Sequence, residues 1–176
     1  MPNWCTNHID LSGDLTKFKA WLGDEKLTLN KIDPLPEALA SVDGVAPDKT
    51  DDDKMALRKE YGADNWYDWR VQNWGTKWDI ELDFEDGLDD GIIININFDS
   101  AWAPPQAAIS TLAAMFPEMN ITHAYLEEGV GFVGKDEYIG GECVTERYHE
   151  DSNSVAWKQL ARDEFCWEPY EEEQPE

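Results

Sequence analysis

The feature that most constrains the fold is a segment of strict alternation that ends at Glu85. Its apolar residues are Trp78, Ile80, Leu82 and Phe84, and its intervening residues are Asp79, Glu81, Asp83 and Glu85. A period of two is typical of a half-buried β-strand, here with an acidic outer face. Two Asp-Gly steps follow within 86–91, and 92–98 alternates again. The pattern predicts a β-hairpin, because Asp-Gly steps favour tight hairpin turns.

The segments on either side of this hairpin complete a fold pattern. Strand patterns cover 3–11 and 120–126, and helical patterns cover 15–22 and the residues from Pro104-Pro105 to Phe116. The order of strand, helix, hairpin, helix and strand predicts an α+β, ferredoxin-like βαββαβ domain, in which an antiparallel sheet carries helices on one face. We expect one core to contain Ile80, Leu82, Phe84, Ile94, Ile96, Ile109, Leu112 and Phe116.

The rest of the chain reads as additions to that unit. A brief strand is expected at 27–32, a helical insertion at about 37–77, and a C-terminal extension made of a hairpin and a helix. We therefore predict a single domain over 1–166. Residues 167–176 are acidic and lack apolar periodicity, so we expect a disordered tail there.

The net charge of −24 on 176 residues restricts the partners. Self-repulsion on this scale destabilises a compact state. The chain therefore either tolerates this repulsion or uses its negative charge for a function. An isoelectric point of 4.2 argues against direct binding to nucleic acid or to an anionic membrane. The sequence has no signal-peptide pattern and no apolar run of membrane-spanning length, which predicts a cytoplasmic protein.

The cysteines and histidines do not form a reactive or metal-binding pattern. Three cysteines are widely separated, and with the three histidines they show no metal-ligand spacing. The pairs Cys5 with His8 and Cys143 with His149 lack an orienting third group and an oxyanion site in the sequence. We therefore expect no cofactor, no metal and no enzymatic activity.

Four segments carry a resemblance to a known family. They are Met1-Pro2-Asn3-Trp4-Cys5-Thr6-Asn7, Ile32-Asp33-Pro34-Leu35-Pro36, Asn73-Trp74-Gly75-Thr76-Lys77-Trp78-Asp79 and Phe98-Asp99-Ser100-Ala101-Trp102-Ala103-Pro104-Pro105. Their order and spacing resemble the YubB-like ferredoxin-like proteins of bacteriophages and conjugative plasmids. The resemblance implies a ferredoxin-like domain, an origin on a mobile element and a bacterial host cell. It brings no established activity or cofactor.

Two groups of residues are candidate partner-binding sites. The first is the acidic row with the loop acids after it, which are Asp79, Glu81, Asp83, Glu85, Asp86, Asp89 and Asp90. Alternate side chains along a strand lie ~6.6 Å apart, which is of the order of the phosphate spacing in nucleic acid. The alternative is a solvated face that discourages edge pairing. The second group is Trp74 and Trp78, which form either a structural corner or an aromatic recognition site.

The predicted function follows from charge and resemblance together. We expect a non-enzymatic phage or plasmid accessory protein that binds and inhibits a basic, nucleic-acid-handling host defence protein by charge mimicry of DNA. The alternatives are an interaction or regulatory module whose acidity serves only solubility, and a small enzyme. The sequence leaves the identity of the target and the oligomeric state open.

Overall fold

A computed structural model describes residues 3–42, 50–84 and 93–168. Within these ranges the strands are β1 (Trp4–Gly13), β2 (Ile93–Ala101), β3 (Met119–Glu127), β4 (Phe132–Ile139) and β5 (Glu142–His149). The helices are α1 (Thr16–Leu22), α2 (Leu29–Ile32), α3 (Glu37–Ala40), α4 (Asp51–Tyr61), α5 (Trp66–Trp74), α6 (Gln106–Met115) and α7 (Val155–Phe165). In the described part of the chain, none of these helices is long and apolar enough to cross a membrane.

The strands form one antiparallel sheet in the order β2-β1-β3-β4-β5. The first strand therefore lies between two strands that come much later in the chain, and Ile9 is paired with Ile96 on one side and His123 on the other. This central placement of β1 is the ferredoxin-like arrangement. The predicted fold class is confirmed.

The main core lies between one face of the sheet and the helices α1 and α6. Alternate residues of β1, among them Ile9 and Leu11, are buried on this face together with Phe18 of α1 and Leu112 of α6. The residues expected to share one core do so, with Ile80 and Phe84 packed at its margin. Residues of the 37–77 segment, including Leu39 and Trp69, belong to the same core.

The C-terminal helix lies on the opposite face of the sheet. Trp157 and Leu160 of α7 pack on Leu126 of β3 and Val133 of β4. Lys135 on the same face of β4 forms an ion pair with Glu164 of α7 at 2.7 Å. The extension therefore adds a second, smaller core on the face opposite the main one.

Over its described residues, 78–84, the strand predicted at 78–85 is not continuous in the structure. It forms isolated bridges at two points, where Glu81 pairs with Thr28 and Phe84 pairs with Ile96 of β2. The segment cannot form a continuous ladder because it changes partner between these two points. Its inward and outward alternation is correct from residue 79 to residue 84, since Leu82 is buried while Asp83 is exposed. Trp78, predicted on the apolar face, is instead 38% exposed.

The brief strand predicted at 27–32 is also wrong. Leu29–Ile32 is the short helix α2, and the Thr28 side chain caps it by accepting a hydrogen bond from the backbone N–H of Lys31. Capping by threonine favours a helical turn over an extended segment. The backbone of Leu27 still behaves as part of a strand edge, because its carbonyl accepts from the N–H of Leu82 at 2.8 Å.

Candidate functional site

The four segments that carry the family resemblance meet at one end of the sheet. The indole N–H of Trp74 donates to the backbone carbonyl of Asp33 at 2.8 Å. The Thr76 hydroxyl donates to the carbonyl of Ala101 at 2.9 Å. The backbone N–H of Trp102 donates to the carbonyl of Asn3 at 3.0 Å. These segments therefore form one structural unit, although long stretches of sequence separate them.

Close packing of backbone on backbone joins two of these segments. Gly75 ends α5 in the left-handed conformation, with φ of 92°. A Cβ at this position would stand 2.7 Å from the carbonyl oxygen of Pro104 and 3.1 Å from the backbone nitrogen of Gln106. Glycine is needed here for both reasons, since only glycine lacks the Cβ that would cause the clash and the strain.

Three tryptophans are partly exposed on this unit. The exposed fractions are 52% for Trp4, 38% for Trp78 and 48% for Trp102. The rings of Trp4 and Trp78 contact each other, with centroids 5.8 Å apart, and the Lys77 ammonium lies 4.1 Å from the Trp78 centroid. Large aromatic rings left in contact with water are typical of binding surfaces.

A shallow groove of about 200 Å³ adjoins these rings. Trp102 lines it together with Lys77, and Tyr67 and Val71 of α5 supply its exposed apolar wall. The groove joins Trp102 to the Trp4–Trp78 pair through Lys77. We call the combined patch the tryptophan surface; it comprises Trp4, Tyr67, Val71, Lys77, Trp78 and Trp102.

The backbone of Trp102 is in a conformation that a bulky residue rarely adopts. Its φ is 72°, and among the described residues only Cys166 shares a positive φ without being glycine. The left-handed conformation costs about 1–2 kcal/mol for a residue with a Cβ. Such strain is concentrated at functional sites, where the surrounding structure imposes it. Here the hydrogen bond to Asn3 and the following Pro104-Pro105 impose the turn.

The acidic row is engaged in local contacts over part of its length. The Asp79 carboxylate accepts hydrogen bonds from the backbone N–H groups of Asn30 and Ile80, each at 3.0 Å. The Glu81 carboxylate forms an ion pair with Lys26. Asp83 is exposed. The remaining predicted members, Glu85, Asp86, Asp89 and Asp90, lie outside the described residues.

Trp74 does not belong to a binding surface. Its side chain is fully buried, and its ring packs edge-on against Trp69 with centroids 5.9 Å apart. The hydrogen bond to Asp33 satisfies its only polar atom. Trp74 is therefore a core residue, and the prediction that it contacts a partner is wrong because its ring is closed off from solvent. Trp78, at the other end of the motif, is in the exposed patch.

The two cysteine–histidine pairs weighed from the sequence lack catalytic geometry. Cys5 points to the helical face of the sheet and is buried, whereas His8 lies on the opposite face. Burial raises the pKa of the Cys5 thiol to about 12, so this thiol is protonated at neutral pH. Cys143 and His149 lie at opposite ends of β5. Over the ranges that the structure describes, no group of three or more acidic, cysteine or histidine side chains is placed to hold a metal ion.

Two residues of the tryptophan surface, Trp4 and Trp102, are not among the partner-binding residues predicted from the sequence. Both lie in segments that carry the family resemblance, Trp4 within 1–7 and Trp102 within 98–105. The available signal was the position of Trp102 just before Ala103-Pro104-Pro105, because a chain that must turn into a helix there leaves little room to bury a large ring.

Comparison with known proteins places these features in context. Residues 74–166, more than half of the chain, match the family model described as the ferredoxin-like domain in Api92-like protein. The crystal structure of a protein api92 from Yersinia pseudotuberculosis is similar in fold, with a TM-score of 0.53 and 12% sequence identity. The match covers 86% of this chain and 99% of that one. No curated protein matches this chain.

Proposed function

We propose that this chain, which belongs to the family described as the ferredoxin-like domain in Api92-like protein, is a non-enzymatic binding module for a basic protein partner. The tryptophan surface is the proposed contact site. The observation that carries the proposal is the clustering of three partly exposed tryptophans, one of them in a strained backbone conformation.

The chemistry of the surface supports a protein partner. Tryptophan and tyrosine are favoured anchors of protein interfaces, because they bury a large area at little cost in side-chain entropy. Trp4 and Trp78 already restrict each other through ring contact. Less conformational freedom is therefore lost on binding than for three isolated side chains.

The charge of the chain supports a basic partner. A net charge of −24 attracts cationic proteins over long distances and raises the rate of encounter. Asp79 follows Trp78 directly, and Asp99 lies three residues before Trp102. Acids beside aromatic anchors match the lysine- and arginine-rich surfaces of nucleic-acid-binding proteins. We include in the proposal an inhibitory role against such a protein in a bacterial host, with the gene carried by a phage or plasmid of the YubB-like kind.

In this proposal the acidic row contributes charge and is not the docking surface itself. The carboxylates of Asp79 and Glu81 are held by Asn30, Ile80 and Lys26. A phosphate-like row needs carboxylates that are free to meet the partner's cations. The alternative, in which acidity only keeps an interaction module soluble, predicts binding that does not change with salt.

The test is affinity capture from bacterial proteins retained on heparin resin, a fraction enriched in basic, nucleic-acid-binding proteins. Wild-type chain should capture a protein that duplex DNA displaces and that elutes as salt rises. Trp78→Ala and Trp102→Ala should each lose the capture, while Met55→Ala and Val155→Ala, at exposed apolar residues elsewhere, should retain it. Equal capture by all four variants would overturn the proposed site, and salt-independent capture would overturn the charge mechanism.

A further inference from the structure

A second cleft lies on the helical face of the sheet, beside the tryptophan surface. It has a volume of about 280 Å³. Its lining residues are Ala103, Pro104, Gln106, Tyr125, Phe132, Glu146 and Tyr148. Ala103 borders both this cleft and the groove at Trp102, so the two cavities are neighbours across one short segment.

Aromatic rings form much of the cleft wall. Phe132 stands between the other two rings, with its centroid 6.3 Å from that of Tyr125 and 5.9 Å from that of Tyr148. The three rings come from β3, β4 and β5, so the sheet fixes their relative positions. Tyr125 and Phe132 are buried and form the inner wall, whereas Tyr148 is 44% exposed, so an entering cation can approach the Tyr148 ring.

The Tyr125 ring packs directly against the backbone of Gly134 at the floor of the cleft. A Cβ at Gly134 of β4 would stand 2.2 Å from a carbon of that ring. Tyr125 is fully buried as a residue, and its hydroxyl accepts a hydrogen bond from the Gln106 amide at 2.8 Å. The ring therefore occupies the space above a glycine, and this packing keeps it against the floor.

The charged groups at the cleft are acidic. Glu146 lines it, and Asp136, which is paired with Glu146 across the β4–β5 ladder, lies directly behind Gln106 and Tyr125. Asp136 is 1% exposed; its Oδ2 accepts from the Gln106 amide at 2.7 Å, while its Oδ1 has no hydrogen-bond partner. Burial, together with the charge of Glu146, raises the pKa of Asp136. None of the residues that line the cleft is basic.

We infer that this cleft binds an organic cation, an alkylammonium or guanidinium group, between Phe132, Tyr148 and Glu146. Aromatic faces attract cations through their quadrupole, and a carboxylate at the wall selects a cation over a neutral group of the same shape. An anion is disfavoured, because it would meet the Glu146 carboxylate with no basic residue in the lining to offset that charge. The volume admits a group of side-chain size.

This inference does not depend on the tryptophan surface being a docking site. The same chemistry has two sources: a lysine or arginine side chain of a bound protein, or a free small amine. A bound protein that covered the tryptophan surface would lie close enough to place such a side chain in the cleft, because Ala103 borders both cavities.

The test is a titration followed by NMR of the aromatic side chains. The probes are butylammonium and ethylguanidinium ions, with 1-butanol as the neutral counterpart. The cations should shift the signals of Phe132 and Tyr148 with saturation, and butanol should not. Glu146→Gln should weaken cation binding at least about threefold, whereas Glu142→Gln, on the same strand outside the cleft, should leave it unchanged. Equal binding of butanol, or an unchanged Glu146→Gln variant, would overturn the inference.

Two further measurements are needed. One distinguishes a partner's side chain from a free amine as the bound cation, and the other tests the cleft independently of the tryptophan surface. A blocked tripeptide with a central arginine should bind at least as tightly as ethylguanidinium if the cleft takes a partner's side chain, and more weakly if it takes a free amine. Trp78→Ala should leave the cation titration unchanged. Failure of cation binding alongside normal heparin-fraction capture would overturn the cleft alone, and the converse result would overturn the tryptophan surface alone.

Discussion

Trp74 and Trp78 lie one helical turn apart in sequence, yet the first is fully buried and the second is 38% exposed. The turn at Gly75 separates them, because α5 ends there in the left-handed conformation and Trp78 no longer follows the helix. The Trp-Gly-Thr-Lys-Trp motif therefore has two roles, with Trp74 anchoring the fold and Trp78 belonging to the tryptophan surface.

Alanine substitution should separate these two roles. Trp74→Ala should lower the free energy of unfolding by about 3–5 kcal/mol, because it empties a fully buried site and leaves the Asp33 carbonyl without its donor. Trp78→Ala should lower it by about 1 kcal/mol or less. Urea unfolding followed by circular dichroism measures both. A similar cost for the two variants would show that Trp78 also belongs to the core.

The contact of Gly75 with Pro104 gives a second prediction. Gly75→Ala should destabilise the protein by about 3 kcal/mol, because a Cβ would meet the Pro104 carbonyl in addition to the left-handed backbone strain. Gly140→Ala is the matched control, since Gly140 also has a positive φ but no atom lies within 4 Å of the added Cβ. The difference between the two unfolding free energies measures the clash alone. Equal losses would mean that the two segments are not in contact.

The left-handed backbone of Trp102 should reverse the usual order of stability between a glycine and an alanine variant at this position. Trp102→Gly should be more stable than Trp102→Ala by about 1 kcal/mol, because alanine retains the strain and glycine relieves it. At an ordinary exposed position glycine is no more stable than alanine. Thermal unfolding of the two variants side by side decides the point, and a more stable alanine variant would show that residue 102 is unstrained.

The buried His123 gives the protein a sensitivity to acid. Burial lowers the pKa of His123 to about 3, from an ordinary 6.5. Between pH 6.5 and pH 3, His123 is therefore protonated in the unfolded chain but stays neutral in the folded chain. Stability is fully present above pH 6.5 and falls as pH decreases, by up to about 1.4 kcal/mol per pH unit from this group.

His123→Gln should remove this component, since glutamine can still reach Asn7, which His123 contacts at 3.0 Å. Between pH 7 and pH 4.5, the free energy of unfolding should therefore fall more for the wild type than for the variant. His8→Gln, on the other face of the sheet, is the control. A difference between wild type and His123→Gln that does not vary with pH would contradict the prediction.

The acidic row should divide into structural and free members. Asp79→Ala should cost about 1 kcal/mol of stability, because two backbone N–H groups lose their acceptor. Asp83→Ala should be neutral or slightly stabilising, since it removes one charge from a strongly acidic chain. Chemical unfolding at low ionic strength measures both. An equal response would mean that the Asp79 contacts contribute nothing.

The alternation of residues predicted which side chains are buried more reliably than which segments pair. The apolar residues from Ile80 to Phe84 face inward as the alternation predicts, whereas Trp78 does not, and this segment forms only two isolated bridges. Periodicity reports the environment of each side chain, whereas a ladder also needs one continuous partner, which no local pattern reveals. The same limit applies to α7, because the sequence predicts a helix there but not the sheet face on which it packs.

The candidate site was predictable in its parts and not in its assembly. The motif residues Trp78 and Trp102 were both visible in the sequence, but nothing in it placed Trp4 against Trp78 or distinguished Trp74 as buried. Contacts between distant segments decide these points. The cleft lined by Tyr125, Phe132 and Tyr148 was even less predictable from the sequence, because only the register of three strands brings these rings together.

The position of β1 at the centre of the sheet has a consequence for how the protein is made. This strand is synthesised well before its partners β2 and β3, which begin at Ile93 and Met119. During translation, the two edges of β1 therefore stay unpaired and its apolar face stays uncovered by the sheet core until most of the domain has been synthesised. Pairings this distant in sequence close slowly, so a chaperone that shields residues 4–13 during synthesis would act at the step where this fold is most exposed to aggregation.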